Sequence, residues 1–270
     1  MLRGHLFVGL SFAVWLGFAV LGLFLILLPR RFSIMALKLW ARVEVWLLRV
    51  VCATQLEIRG LEKLPDGGFV VAAKHQSPFE TFALLPLFQD PAMVLKKELT
   101  DVPLFGWWCR KFQMIPVDRA AGMRGMKEMA THVGREAEAG RQIIIFPEGT
   151  RTQPGAEPDY KPGVAFVYGQ LDVPCVPVAL NSGLFWPARG PDRHPGTIII
   201  EILEPIPPGL DRRAFMAKLQ ESIERASDAL IDEAAATSSP PPTIAAAMER
   251  RTSRGPVSRE KTVSGFEIVA

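Results

Sequence analysis

The chain has 270 residues, 49% of them hydrophobic, and a formal net charge of +3. That is room for one α/β domain of ordinary size with appendages, and it argues against a second large domain. The charge is unevenly placed: Arg3, Arg30, Arg31, Lys38, Arg42, Arg49 and Arg59 stand against only Glu44 and Glu57 among the first sixty residues. This favours an anionic membrane surface as partner, and no basic run elsewhere is interleaved with stacking aromatics as a nucleic-acid platform requires.

Leu6 to Leu28 carries no charged residue. At about 1.5 Å per residue, a helix of that length covers a bilayer core of roughly 30 Å, so a membrane segment is expected. A cleaved signal peptide is the competing reading, but the apolar stretch is too long and Leu28-Pro29-Arg30-Arg31 offers no small-residue cleavage site. Basic residues lie mostly after it, so the positive-inside rule expects everything from Pro29 onward in the cytoplasm, on the inner membrane. Ile34 to Cys52 reads as an amphipathic helix with Lys38, Arg42 and Arg49 on one side, fit either for the membrane interface or for packing on a core. Residues 1–54 are therefore expected to anchor the chain.

From residue 55 to residue 236 the pattern alternates. Strand-like runs at Phe69–Ala73, Ala92–Leu95, Met114–Val117, Gln142–Phe146, Cys175–Leu180 and Thr197–Ile202 are separated by helical patterns near Phe79–Leu87, Gly122–Ala139 and Val164–Leu171. That rhythm predicts an α/β fold with a mostly parallel sheet flanked by helices. A last helix from Asp211 to about Ala235 closes the domain, and residues 237–270, rich in Ser, Pro and Arg, read as a flexible tail. Cys52, Cys109 and Cys175 are odd in number, widely spaced and without partners at metal spacing, which fits buried reduced thiols.

Two strand ends carry the chemistry. His75 stands two residues past Ala73 in Lys74-His75-Gln76-Ser77-Pro78-Phe79-Glu80, and Glu148 two past Phe146 in Phe146-Pro147-Glu148-Gly149-Thr150-Arg151. In an open α/β sheet ligands gather outside the carboxyl ends of strands, so adjacent parallel strands would bring these segments together. A neutral histidine accepts a proton from a hydroxyl, and a carboxylate beside it fixes its tautomer. Glu80 has a structural rival, because Ser77, Pro78 and Glu80 also form a capping box. Gly149 beside a guanidinium suits an anionic group held bidentately. Together these groups suit base-assisted transfer onto a phosphate-bearing molecule.

His75 to Glu80, Phe112 to Arg119, Phe146 to Arg151 and Val173 to Val178 occur in the order and spacing of the four blocks of the glycerolipid acyltransferases. Over roughly Leu56 to Leu210 the chain resembles the bacterial 1-acylglycerol-3-phosphate acyltransferase family, most specifically in Pro-Glu-Gly-Thr-Arg. The resemblance implies acyl transfer from acyl-CoA or acyl-carrier protein, as co-substrate, to the free hydroxyl of a lysophospholipid, giving phosphatidic acid without cofactor, metal or acyl-enzyme. It implies His75 as base with Glu80 orienting the ring, and Glu148, Gly149, Thr150, Arg151 and Arg119 on the acceptor side. Glu148, an anion, would orient Arg151 or the glycerol hydroxyl rather than touch phosphate. Lys74 reads as a snorkelling lysine, and Pro174 and Pro177 as edge-strand or turn prolines or as shapers of an acyl wall. The family's first block usually ends in aspartate; here Glu80 is longer by one methylene, and its reach to His75 must be accommodated. Alternatives are a different lysolipid acceptor, such as lyso-ornithine lipid, a thioesterase or other hydrolase, or a non-catalytic membrane protein that binds anionic headgroups.

Overall fold

The computed structural model describes residues 2–255. Seven strands, β1 (Thr54–Arg59), β2 (Phe69–Ala73), β3 (Pro91–Lys96), β4 (Ile115–Val117), β5 (Gln142–Ile145), β6 (Cys175–Leu180) and β7 (Gly196–Ile202), form one sheet in the order β1-β7-β6-β2-β5-β3-β4. All neighbours are parallel except β6 and β7. The helices are α1 (Leu2–Leu21), α2 (Arg30–Cys52), α3 (Glu80–Ala83), α4 (Phe105–Lys111), α5 (Gly122–Glu138), α6 (Gly163–Tyr168), α7 (Ser182–Phe185), α8 (Arg212–Ala235) and α9 (Ile244–Arg254).

The central strands β2, β5 and β6 are buried at every position, as their almost wholly apolar sequences require when helices cover both faces of a parallel sheet. Alternation along β2 divides the core: Val71 and Ala73 join the cluster that includes α2, while Val70 and Ala72 join the one formed with α5, α6 and α8. The six predicted strands are present. The edge strand β1 is additional; its Gln55, Glu57 and Arg59 interrupt the apolar pattern, and it is held by parallel pairing with β7.

The N-terminal segment is helical as expected, and it doubles back. After α1 a 3₁₀ stretch, Gly22–Leu27, leads into α2, and the two helices run antiparallel, with Cys52 Sγ near the Arg3 carbonyl oxygen and Ser11 Oγ donating to Glu44 Oε2 (2.6 Å). Both ends of α1 touch the α/β domain. Phe7 packs edge-on against Trp186, a methyl on Gly4 would meet the Pro191 carbonyl oxygen at 2.0 Å, and Trp108 Nε1 donates to the Ala19 carbonyl (3.1 Å). The turn is tied down by a bidentate Arg30–Asp90 pair (2.7 and 2.6 Å) and by Lys111 Nζ, which donates to the carbonyls of Ile26 and Leu28. In α2 the core-packing alternative is present, with Leu37, Ala41, Leu47 and Leu48 buried, while Met35, Leu39, Trp46 and Val50 are exposed.

The C-terminal expectation is corrected. Of the predicted tail 237–270, residues 244–254 form α9, a helix docked on the domain; residues 256–270 lie outside the described residues. Arg251 pairs with Asp232 (2.7 Å) and Arg254 with Asp228 and Glu224, so arginines of the stretch that reads as a tail bind the helix to α8. Cys52, Cys109 and Cys175 are buried free thiols.

Candidate active site

Parallel pairing of β2 with β5, in the register Ala72 to Ile145, releases the His75 and Glu148 segments side by side at the same end of the sheet. A backbone bond joins them, from Thr152 N to the His75 carbonyl (2.8 Å). The convergence inferred from topology is therefore present.

Glu80 is placed for both roles that the sequence offered it. In the turn that leads into α3, Ser77 and Glu80 make the reciprocal bonds of a capping box: Ser77 Oγ accepts from Phe79 N (3.0 Å), and Glu80 Oε1 accepts from the Ser77 and Gln76 backbone N–H groups. The same oxygen lies 3.0 Å from His75 Nδ1, so the extra methylene relative to aspartate is accommodated. Glu80 Oε2 accepts from Ser77 Oγ (3.1 Å) and Ser182 Oγ (2.8 Å). A fully buried carboxylate is thus satisfied at both oxygens, and its partner His75 stacks on Phe146 with ring centroids 4.1 Å apart. With Nδ1 engaged, Nε2 is the ring nitrogen left for chemistry.

His75 lines a cavity of about 670 Å³ together with Gly149, Thr150, Arg151 and Arg119. Gly149 has φ +65°, a conformation open to glycine, and the Arg119 guanidinium lies 3.7 Å from where a methyl there would sit. Arg119 thereby reaches the turn that holds Arg151. Lys96 and Arg189 also border the cavity, and Trp15, Phe18, Leu37 and Trp40 of the helical hairpin supply apolar wall. Pro174 and Pro177 do not line it; the hairpin supplies the wall that those prolines were considered for.

Glu148 is elsewhere. Its side chain is 1% exposed and pairs with Lys74 Nζ (2.9 Å), which also pairs with Glu224 (2.6 Å). The expected role of orienting Arg151 or a glycerol hydroxyl is corrected: Glu148 faces the protein interior, because a buried carboxylate needs a charged partner and Lys74 supplies one. Lys74 is not snorkelling either. Burial opposes its charge, but Glu224 and Glu148 outweigh burial and hold its pKa above the ordinary lysine value. Ser182 and the hairpin aromatics at the site, and the Lys74–Glu224 pair behind it, were not foreseen from sequence, since their partners are remote in the chain and leave no local pattern. Among the described residues no three His, Cys, Asp or Glu side chains form a group able to hold a metal ion.

A solved 1-acyl-sn-glycerophosphate (LPA) acyltransferase, PlsC of Thermotoga maritima, matches with a TM-score of 0.73 at 21% identity, covering 88% of this chain and 98% of that one. That likeness shows the fold: a helix-flanked, mostly parallel sheet with an apolar N-terminal helix. A family model described as Acyltransferase matches residues 55–181, just under half of the chain. The 1-acyl-sn-glycerol-3-phosphate acyltransferase of Pseudomonas aeruginosa is 37% identical over 163 residues, 60% of this chain and 63% of that protein. The protein of the same name from Saccharomyces cerevisiae is 26% identical over 197 residues, 71% of this chain and 64% of that one. The chain thus spans under two-thirds of these relatives' lengths.

Proposed function

We propose that this protein transfers a fatty acyl group from a thioester donor, acyl-CoA or acyl-carrier protein, to the free hydroxyl of 1-acylglycerol-3-phosphate, giving phosphatidic acid. The observation that carries the reading is the His75–Glu80 contact of 3.0 Å opening on a cavity shared with Arg119 and Arg151. His75 Nε2 takes the hydroxyl proton as that oxygen attacks the thioester carbonyl; the tetrahedral intermediate expels the thiolate, which receives the proton back. Glu80 stabilises the imidazolium formed between the two steps. Arg151 and Arg119 fit a phosphate, since neither has a carboxylate partner within ion-pair distance among the described residues.

Relatives and the apolar helix support membrane association. We place the hairpin in the cytoplasmic leaflet of the inner membrane, supported by exposed Leu2, Phe12, Leu21 and Leu27 and by basic residues clustered after α1.

The test is incubation of purified protein with labelled acyl-CoA or acyl-carrier protein and a panel of lysolipids. Label appearing in phosphatidic acid, and lost by about 10²–10⁴-fold in a folded His75→Ala protein, is expected. Transfer only to a phosphate-free acceptor such as lyso-ornithine lipid would change the acceptor; acid release without acceptor would indicate a hydrolase; headgroup binding without turnover would indicate a non-catalytic protein.

A further inference from the structure

The loop that carries Gly149 and Arg151 is long, and its grip lies outside the acyltransferase-family domain. It leaves β5 at Phe146 and closes on itself where Lys161 N donates to the Pro147 carbonyl (2.9 Å). Its far side is covered by α9. A methyl on Gly155, at φ +78°, would lie 2.1 Å from the Ala247 carbonyl oxygen, so helix backbone touches loop backbone there. Arg250 Nε donates to the Pro154 carbonyl (2.9 Å), and Arg254 reaches the Ala156 carbonyl (3.4 Å).

A second path joins the same helix to the loop's base. Arg254 pairs with Glu224 of α8 (3.3 Å), Glu224 with Lys74 (2.6 Å), and Lys74 with Glu148 (2.9 Å), the residue next to Gly149. Tyr160, at the loop's return, donates to Glu224 (3.0 Å). Lys74, Glu148, Glu224 and Arg254 are each at most 4% exposed, and none lines the cavity. They are unavailable to substrate, yet they contact the loop from both sides. A buried charge left unpaired is costly, so each member holds its neighbours in place.

We propose that α9 is a clamp: Arg250 and Arg254, through the loop carbonyls and the Arg254–Glu224–Lys74–Glu148 chain, set the position of the 147–161 loop and thereby of Arg151 for the acceptor. The acceptor part rests on the acyltransferase reading; the clamp itself does not. Arg254 is a positioning residue, acting through others.

The test is hydrogen exchange with mass analysis on full-length protein, wild type against Arg254→Gln and Arg250→Ala, with kinetics alongside. Amides across 148–156 should exchange about tenfold faster in Arg254→Gln and a few-fold faster in Arg250→Ala, with β2 and β6 unchanged. The KM for lysophosphatidic acid should rise about five- to tenfold in Arg254→Gln while kcat and the donor KM stay within about twofold, and Arg254→Lys should recover part of the loss. Unchanged loop exchange in both variants overturns the clamp. So does exchange that rises equally across the sheet in both, which would mark general destabilisation; Arg250→Ala guards against this, since it leaves the buried ions paired. Faster loop exchange with an unaltered acceptor KM overturns the acceptor role. If wild type acylates no lysolipid, the function reading fails, while loop exchange still decides the clamp.

Discussion

Glu80→Gln separates capping from catalysis at one side chain. The amide oxygen of glutamine can take the place of Oε1, accepting from the Gln76 and Ser77 N–H groups, while its NH₂ faces Ser77 Oγ and Ser182 Oγ, hydroxyls able to turn and accept. The bonds of the cap therefore survive, and the expected stability loss is small, about 1 kcal/mol, or a few degrees of melting temperature. What is lost is the negative charge 3.0 Å from His75 Nδ1. At an effective dielectric of about 20, two unit charges roughly 4 Å apart interact by about 4 kcal/mol. If only part of that charge has developed on the ring in the transition state, about 3 kcal/mol of it is felt, which is about a hundredfold in kcat. Steady-state kinetics with labelled acyl donor, paired with circular-dichroism melting, reads both quantities. A kcat within about threefold of wild type in a folded Glu80→Gln protein would show that Glu80 only caps α3 and would refute the His–carboxylate mechanism.

Arg151→Lys keeps the charge and loses the fork, so the KM for lysophosphatidic acid should rise about tenfold with the donor KM little changed; an effect on the donor alone would move Arg151 to the donor side. Deleting residues 2–28 should weaken sedimentation with anionic vesicles, and because Trp15 and Phe18 line the cavity it should also raise the donor KM; donor kinetics identical to wild type would remove α1 from the acyl site. Asp90 offers a pH test. Burial opposes its charge, but Arg30 and Arg141 outweigh burial and hold its carboxyl below the ordinary range. Its stabilising contribution is therefore full above about pH 4 and lost as pH falls through the lower folded value. The melting-temperature gap between wild type and Asp90→Asn should be widest near neutrality and narrow in acid; a pH-independent gap would contradict the assignment.

The central strands, the capping box at Ser77 and the strand-end placement of His75 and Gly149 were legible because each is a local pattern. Burial on both faces demands an unbroken apolar run, as in β2, and a helix start demands a side chain for its free N–H groups, as at Ser77. The edge strand β1 was not legible, since pairing on one side only leaves room for Gln55, Glu57 and Arg59. Glu148 was misplaced for a different reason. Its sequence neighbours pointed to Arg151, but its partner is Lys74, 74 residues away, and Lys74 is shared with Glu224, 150 residues from it.

The same holds for α9, whose stretch reads as a tail until Glu224 and Asp228 are in place for Arg254, and for the hairpin, whose second face becomes cavity wall only once α1 lies against Trp108. The amino-acid sequence by itself determined the α/β order, the two motifs and the residues able to take a proton or grip a phosphate, because periodicity and short-range hydrogen bonding depend on neighbours in the chain. Only the tertiary structure decided which charged groups face the cavity and which face one another, because a carboxylate's orientation is settled by the partner that compensates its burial, and that partner is brought near by folding.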